Sequence, residues 1–249
     1  MNMNDLTIFK NEGITYIPFK SPQPLTPFTA FWQYCIGERI LSKINCDRLK
    51  KFLLSKQDEV LEIKDKLTDG GTGLGNQSTT ARFRSYNVLD WDQEDIKLLK
   101  EGIIKTHDTY YKFILNQEPP RVSIPACWMN IMKKGQKIRK HNHGYHDRTY
   151  LSGNFTVACD DSKTVYVNPL VQFTEYELRE RVEKWGQVYV PELYASENKQ
   201  GNLSLFPCYV PHFTTKHNSD TERITIAFEI TPLPNKKFGG KEGYWTYAD

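Results

Sequence analysis

The chain has 249 residues, 39 % hydrophobic and 25 % charged, with a formal net charge of +3. This is the composition of an ordinary globular protein long enough to bury a core. No dense Lys/Arg stripe with interleaved aromatics marks a nucleic-acid partner, and no apolar run reaches the length of a membrane span.

The five cysteines (Cys35, Cys46, Cys127, Cys159, Cys208) are scattered and form no C-x-x-C pair, which argues against a zinc ribbon and a thioredoxin-like site. Unpaired thiols fit a reducing compartment. The opening MNMNDLTIFKNEG has no apolar signal-peptide core, so a cytoplasmic location is expected.

In chain order, residues 1–34 are short apolar bursts broken by Pro22, Pro24 and Pro27, which favours extended chain or an edge strand. From about Asn45 to Leu67, Leu49, Phe52, Leu53, Val60 and Leu61 recur at near-helical spacing. They predict one amphipathic helix, capped by Asn45 or Asp47. The stretch TDGGTGLGNQSTT is glycine-rich. It lacks the preceding strand, the following helix and the Gly-Lys-Ser/Thr of a phosphate loop, so it reads as a surface loop or a lid. A second helix is predicted from about Asp92 to Leu115, with Ile96, Leu99, Ile103, Ile104, Tyr110 and Phe113 on its apolar face. His107 lies within it and reads as a surface or packed residue.

From Arg121 to about Thr231 the pattern is β-rich throughout: VSIPACWMNIM, LSGNFTVAC, TVYVNPLVQF, QVYVPEL, NLSLFPCYVPHF and RITIAFEI. Short strands at near-regular spacing predict a sandwich or barrel. No linker or repeat divides the chain, so one domain is expected, with helices against one face of a two-sheet barrel. In the tail, Tyr244, Trp245 and Tyr247 are expected to dock on the body. Trp128 reads as core, Tyr150, Tyr166 and Tyr209 as strand packing, and Ser152 as a small core residue.

Between the first two of these strands lies HNHGYHD, with His141, His143, His146 and Asp147. Neutral imidazole is the commonest protein ligand for a redox-active or Lewis-acid metal. Residues i and i+2 on an extended segment share a face, so His141 and His143 converge. His212 follows much later in the chain and supplies a third, facial ligand of the kind that leaves coordination positions open. An isolated H-x-H also arises in surface loops that bind nothing. His146 and His217 read as solvent-facing.

The surrounding segments are more specific than the histidines. W-M-N-I-x-x-x-G-Q precedes H-N-H; L-S-G-x-F-x-V, V-Y-V-N-P, L-S-L-F-P-x-Y-x-x-H and R-I-T-I-A-F follow in order. Over residues 121–231 the chain resembles the Fe(II)/2-oxoglutarate-dependent oxygenases, in the branch related to prolyl hydroxylases.

The resemblance implies a mainly β fold, the double-stranded β-helix or jelly roll, with flanking helices. It implies Fe(II), 2-oxoglutarate as cosubstrate and dioxygen, with decarboxylation to succinate and hydroxylation of a peptidyl or small-molecule substrate. Carried over by position, His141, His143 and His212 hold the metal. Arg223 holds the cosubstrate with Thr225, and Asn130 and Thr156 stand among the polar groups around it.

The residues support Arg223 independently. An arginine in an apolar strand needs an anionic partner, and its planar fork suits a carboxylate; the other readings are a strand-edge arginine that reaches solvent, or one paired with Glu222. The superfamily usually has Asp or Glu where this chain has His143, which leaves Asp147 as the alternative third ligand. Two other readings remain open: a non-catalytic jelly-roll binding module, and a cupin-type metalloenzyme that does not use 2-oxoglutarate.

Overall fold

A computed structural model describes residues 7–20, 33–64, 67–143 and 149–233. Pro22, Pro24, Pro27, His146, Asp147 and the tail aromatics lie outside the described residues. The front of the chain forms β1 (Phe9–Asn11), β2 (Ile14–Lys20), β3 (Gln33–Ile40), α1 (Cys46–Ser55), α2 (Gln57–Glu62) and α3 (Glu94–Leu115). The rest forms β4 (Val122–Met132), β5 (Leu151–Ala158), β6 (Thr164–Val167), α4 (Glu175–Glu183), β7 (Tyr189–Val190), β8 (Leu193–Ser196), β9 (Asn202–Pro207), β10 (His212–Thr214) and β11 (Arg223–Pro232).

A seven-stranded sheet has the order β1-β2-β3-β9-β5-β11-β4, and a four-stranded sheet the order β10-β6-β8-β7. His141 bridges His212 antiparallel, so the segment around it extends the small sheet beyond β10. From β4 onward the chain visits large, small, large and small sheet (β4, the His141 segment, β5, β6), then small, large, small and large (β8 to β11). That winding is the expected jelly roll.

Period-two alternation sorts the large sheet into two faces. Outward, Met129, Ile131, Phe155, Val157, Leu203, Leu205, Ile224, Ile226 and Phe228 join Leu49, Leu53, Ile96, Leu99 and Ile103 of the helices in one apolar core. Each such side chain stabilises by about 1.5–3 kcal/mol on burial. Inward, the partners are polar. Thr225 stands between Asn130 on β4 and Thr156 on β5, and Ala227 between Trp128 and Asn154. Gly153 is required by close approach, because a Cβ there would lie 2.3 Å from Phe228 Cζ and 2.5 Å from the Ser204 carbonyl oxygen.

Several expectations are corrected. The helix expected from Asn45 to Leu67 is two helices, broken at Lys56, and α2 ends at Glu62. Asn45, rather than Asp47, is the cap, its side chain accepting from the Arg48 N–H at 3.0 Å. The extended chain expected in residues 1–34 includes β1 and β2, and the front, expected to be mostly helical or irregular up to residue 120, also adds β3, which joins the core sheet through the β3–β9 ladder. The stretch after β6 is not all β. It contains α4, whose Thr174 and Glu177 form a reciprocal capping box, a signal readable in T-E-Y-E. His217 is fully buried rather than solvent-facing, held by Asp161 at 2.8 Å and the Thr221 carbonyl at 2.6 Å. His107 is a packed residue, bonded to Asp108 at 2.7 Å and to the Tyr150 hydroxyl.

Asp95 locks the two cap regions together. Its buried carboxylate accepts from Arg48 Nε at 2.6 Å, Gln93 Nε2 at 2.8 Å and the Asn45 N–H at 2.8 Å. Burial alone would raise its pKa; these donors outweigh burial and hold it below the usual carboxylate value. Asp95→Ala should cost roughly 1.5–3 kcal/mol, the scale of hydrogen bonds to a charged group, read from the urea midpoint at neutral pH. Because the folded pKa is depressed, that contribution is present above the ordinary carboxylate value and is lost as pH falls through the folded one. The difference between variant and native protein should therefore shrink in acid. A constant difference down to low pH would refute the charged-state account.

Candidate functional site

The inward faces of the two sheets enclose a cavity lined by His141, His143, His212, Asn130, Arg223 and Thr225. Thr156 is buried in the row beside Thr225 but is not on the cavity wall, and its hydroxyl has no partner. Six of the seven residues singled out from sequence thus meet in one space.

The three histidines reach it from two elements paired edge to edge. The His141 N–H donates to the His212 carbonyl at 3.0 Å, and the His212 N–H to the His141 carbonyl at 2.8 Å. The His143 N–H donates to the Cys208 carbonyl at 2.9 Å. Ring centroids lie 4.3 Å apart for His141 and His212, 5.2 Å for His143 and His212, and 5.4 Å for His141 and His143. One ligand atom from each lies within 4.8 Å of the others, close enough for a single ion to join all three.

The tautomers follow from the partners. A carbonyl oxygen can only accept, so His141 Nδ1 donates to the Arg139 carbonyl at 2.8 Å and His212 Nδ1 to the Val210 carbonyl at 3.1 Å. His143 Nδ1 faces a Glu229 carboxylate oxygen at 3.1 Å. In His141 and His212 this leaves Nε2 as the nitrogen with a free lone pair. Burial, with His143 nearby, pushes the His141 pKa down to about 4. Burial also drives His212 well below the ordinary value, with His141 and His143 as further causes. These two imidazoles are neutral at neutral pH, the form that binds metal.

Arg223 is 2 % exposed. One Nη donates to Thr164 Oγ1 at 2.9 Å, the other lies 3.6 Å from Met132 Sδ, the Cys159 thiol is a further neighbour, and Nε is unpartnered. Among the described residues no carboxylate is within ion-pair reach of it. Burial accordingly lowers its pKa. A buried guanidinium on a cavity wall with no anion is a receptor for one.

The glycine-rich stretch lies at the same cavity through Asp69, Gly70, Thr72 and Thr80. It folds on its own carboxylate. Asp69 accepts from the N–H groups of Gly71 at 3.0 Å, Gly73 at 2.9 Å and Gly75 at 3.1 Å. The amides that a phosphate would need already serve Asp69. Its end is tied to the site by Thr80 Oγ1, which donates to Asn130 Oδ1 at 2.6 Å.

Residues 126–229 match the family model described as "Putative 2OG-Fe(II) oxygenase". This segment is a 2OG-Fe(II) oxygenase domain. Among solved structures, a 2OG-Fe(II) oxygenase-family oxidoreductase from Burkholderia pseudomallei is 12 % identical with a TM-score of 0.40, over 57 % of this chain and 60 % of that one. AviO1 from Streptomyces viridochromogenes Tue57 is 13 % identical with a TM-score of 0.49, over 80 % of this chain and 91 % of that one. HygX from Streptomyces hygroscopicus, solved with nickel and 2-oxoglutarate bound, is 14 % identical with a TM-score of 0.45, over 75 % and 77 %. No curated protein matches the chain.

The matched segment is thereby an oxidoreductase domain of a family that works with iron and 2-oxoglutarate. The cavity fits both groups: each of the three histidines brings one ring nitrogen within reach of a single metal, and among the described residues the buried Arg223 guanidinium has no carboxylate partner. Among the described residues no helix is long and apolar enough to cross a membrane.

Two residues of the cavity wall were not singled out from sequence. Trp128, read as core, lines the cavity and stacks on His143 with centroids 5.7 Å apart. Tyr166, read as packing, is buried off the cavity wall, where it accepts from Asn154 Nδ2 at 2.9 Å beneath His212. Glu229 also lines the cavity. Its signal was present in the strand, since Arg223, Thr225, Ala227 and Glu229 share one face at period two.

Proposed function

We propose that this oxygenase is a hydroxylase in which His141, His143 and His212 hold the iron and Arg223, with Thr225 and Asn130, seats the distal carboxylate of 2-oxoglutarate. The observation that carries the reading is the unpaired, buried Arg223 on the same cavity wall as three histidines presenting Nε2. Iron with 2-oxoglutarate and dioxygen supplies oxidation of an unactivated C–H bond, coupled to release of succinate and carbon dioxide.

The chain's own residues bind, orient and keep water out. Thr164 Oγ1 fixes one arm of Arg223, so the fork is preorganised for a carboxylate. Trp128, Phe206 and Phe213 line the cavity with apolar surface that limits water access to the reacting centre. Thr156, off the wall, supports the row behind Thr225. The substrate, a peptidyl residue or a small molecule, is bordered by the 68–80 loop and Phe83. The strand ladder β3–β9 supports treating the front of the chain as part of the same domain. Five free thiols fit a cytoplasmic setting.

Purified protein supplied with Fe(II), 2-oxoglutarate and oxygen should release succinate, and a screen of peptides and small molecules should find compounds that raise the rate. Metal uptake with no succinate under any condition would leave a binding module. Succinate production unaffected by any compound, with no hydroxylated product, would refute the hydroxylase assignment.

A further inference from the structure

Glu229 stands on β11 at the end of the inward row that begins with Arg223, and it is 5 % exposed. In register it faces Ala126 on β4 and Ser152 on β5, two small neighbours that leave space above them. The β4–β11 ladder shifts register between Glu229 and Thr231, an irregularity that re-aims side chains. One carboxylate oxygen lies 3.1 Å from His143 Nδ1, and the other accepts from Thr149 Oγ1 at 3.3 Å. Among the described residues its only ion-pair partner is that imidazole. The His143 ring is held flat between Trp128, stacked at 5.7 Å and 24°, and the edge of Phe206 at 6.5 Å.

A carboxylate taken out of water costs several kcal/mol unless a cation compensates it. Among the described residues no Lys or Arg supplies that cation. The ring beside it offers its other nitrogen to the cavity, where His141 and His212 also converge. We propose that Glu229 delivers, through His143, the negative charge that a carboxylate as third ligand would carry. It is a positioning residue: it keeps the proton on Nδ1, aims Nε2 at the metal, and places one negative charge a ring's width from it. The superfamily's Asp or Glu at position 143 is thereby replaced by a His–Glu pair whose members are far apart in sequence. Hydrogen-bonded carboxylates behind metal-bound histidines raise ligand basicity, and their loss typically costs about 10–100-fold in metal affinity.

This inference rests on the three-histidine reading, and the experiment separates the two. Co(II) is titrated into the full chain, following visible absorption and heat, for native protein, Glu229→Gln, Glu229→Asp, His143→Ala and the Glu229→Gln/His143→Ala pair. Folding is verified by circular dichroism. The order of affinity should be native, then Asp, which keeps the charge, then Gln, weakened about 10–100-fold. In the His143→Ala background the Gln change should have no further effect, because Glu229 acts only through that ring. Native affinity in Glu229→Gln overturns the proposal. So does an Asp variant as weak as Gln, or a Gln effect that persists undiminished without His143. Native protein that binds no Co(II) sinks the three-histidine reading itself. The Asp comparison and the double variant distinguish a charge effect from a packing defect.

Discussion

Replacement of His212 by alanine should abolish metal uptake, which in the native protein should approach one Fe(II), or one Mn(II) or Zn(II) as a stand-in, per chain. The reason is coordination number. One ring nitrogen from each of the three histidines lies within 4.8 Å of the others, so one ion can join all three, and two imidazoles without the third lose both a bond and the geometry. The change should spare the fold, because His212 joins β6 and the His141 segment through backbone groups that alanine retains. Metal content by elemental analysis and folding by circular dichroism are the measurements. Equal and negligible metal in native and variant protein would end the iron reading.

The same assay decides the third ligand. The structure turns the His143 ring toward His212, with its Nδ1 already engaged by Glu229. His143→Ala should therefore bind metal much more weakly, and Asp147→Ala should keep native affinity. The reverse result would restore the two-histidine, one-carboxylate triad in place of the set proposed here.

Replacement of Arg223 by alanine should weaken 2-oxoglutarate binding by about 2–5 kcal/mol, the scale of truncating one partner of a buried charge pair. Metal binding should be unchanged, since Arg223 contacts none of the three histidines in its hydrogen bonds. Arg223→Lys should also bind poorly, because a point charge on a flexible stem cannot reproduce the fork. Stability should move the other way. In the absence of cosubstrate the guanidinium is a buried cation without an anion, and removing such a charge is neutral or stabilising. Arg223→Met should thus retain or raise the thermal midpoint while losing 2-oxoglutarate, the signature of a residue kept for a ligand rather than for the fold. Calorimetric titration with 2-oxoglutarate and thermal melts are the two readouts. Unchanged affinity in Arg223→Ala would overturn the assignment of the cosubstrate site.

What the sequence determined by itself is what backbone periodicity carries. A strand repeats every two residues, so R-I-T-I-A-F-E-I already separates an apolar face from one bearing Arg223 and Thr225. The spacing H-x-H likewise brings His141 and His143 together before any pairing is known. The end of α3 at Leu115 and the extent of β4 were legible for the same local reason. The break at Lys56 was not. The apolar spacing runs on through it, and nothing in the Leu49–Leu61 repeat marks the separate start of α2.

Only the tertiary structure decided which distant residues meet. His143 and Glu229 are 86 residues apart, and their contact depends on β11 lying between β4 and β5 in one register. A slip of one residue would turn Glu229 outward into the apolar core. The loop around Asp69 is a similar case. Its glycines resemble an anion cradle in one dimension, and only folding shows that the anion is the chain's own carboxylate. His217 looked exposed because its neighbours are polar, and it is buried because Asp161 and Thr221 close over it. Local pattern assigns a side chain to a face; which face becomes the wall of a site is set by non-local pairing of the sheets.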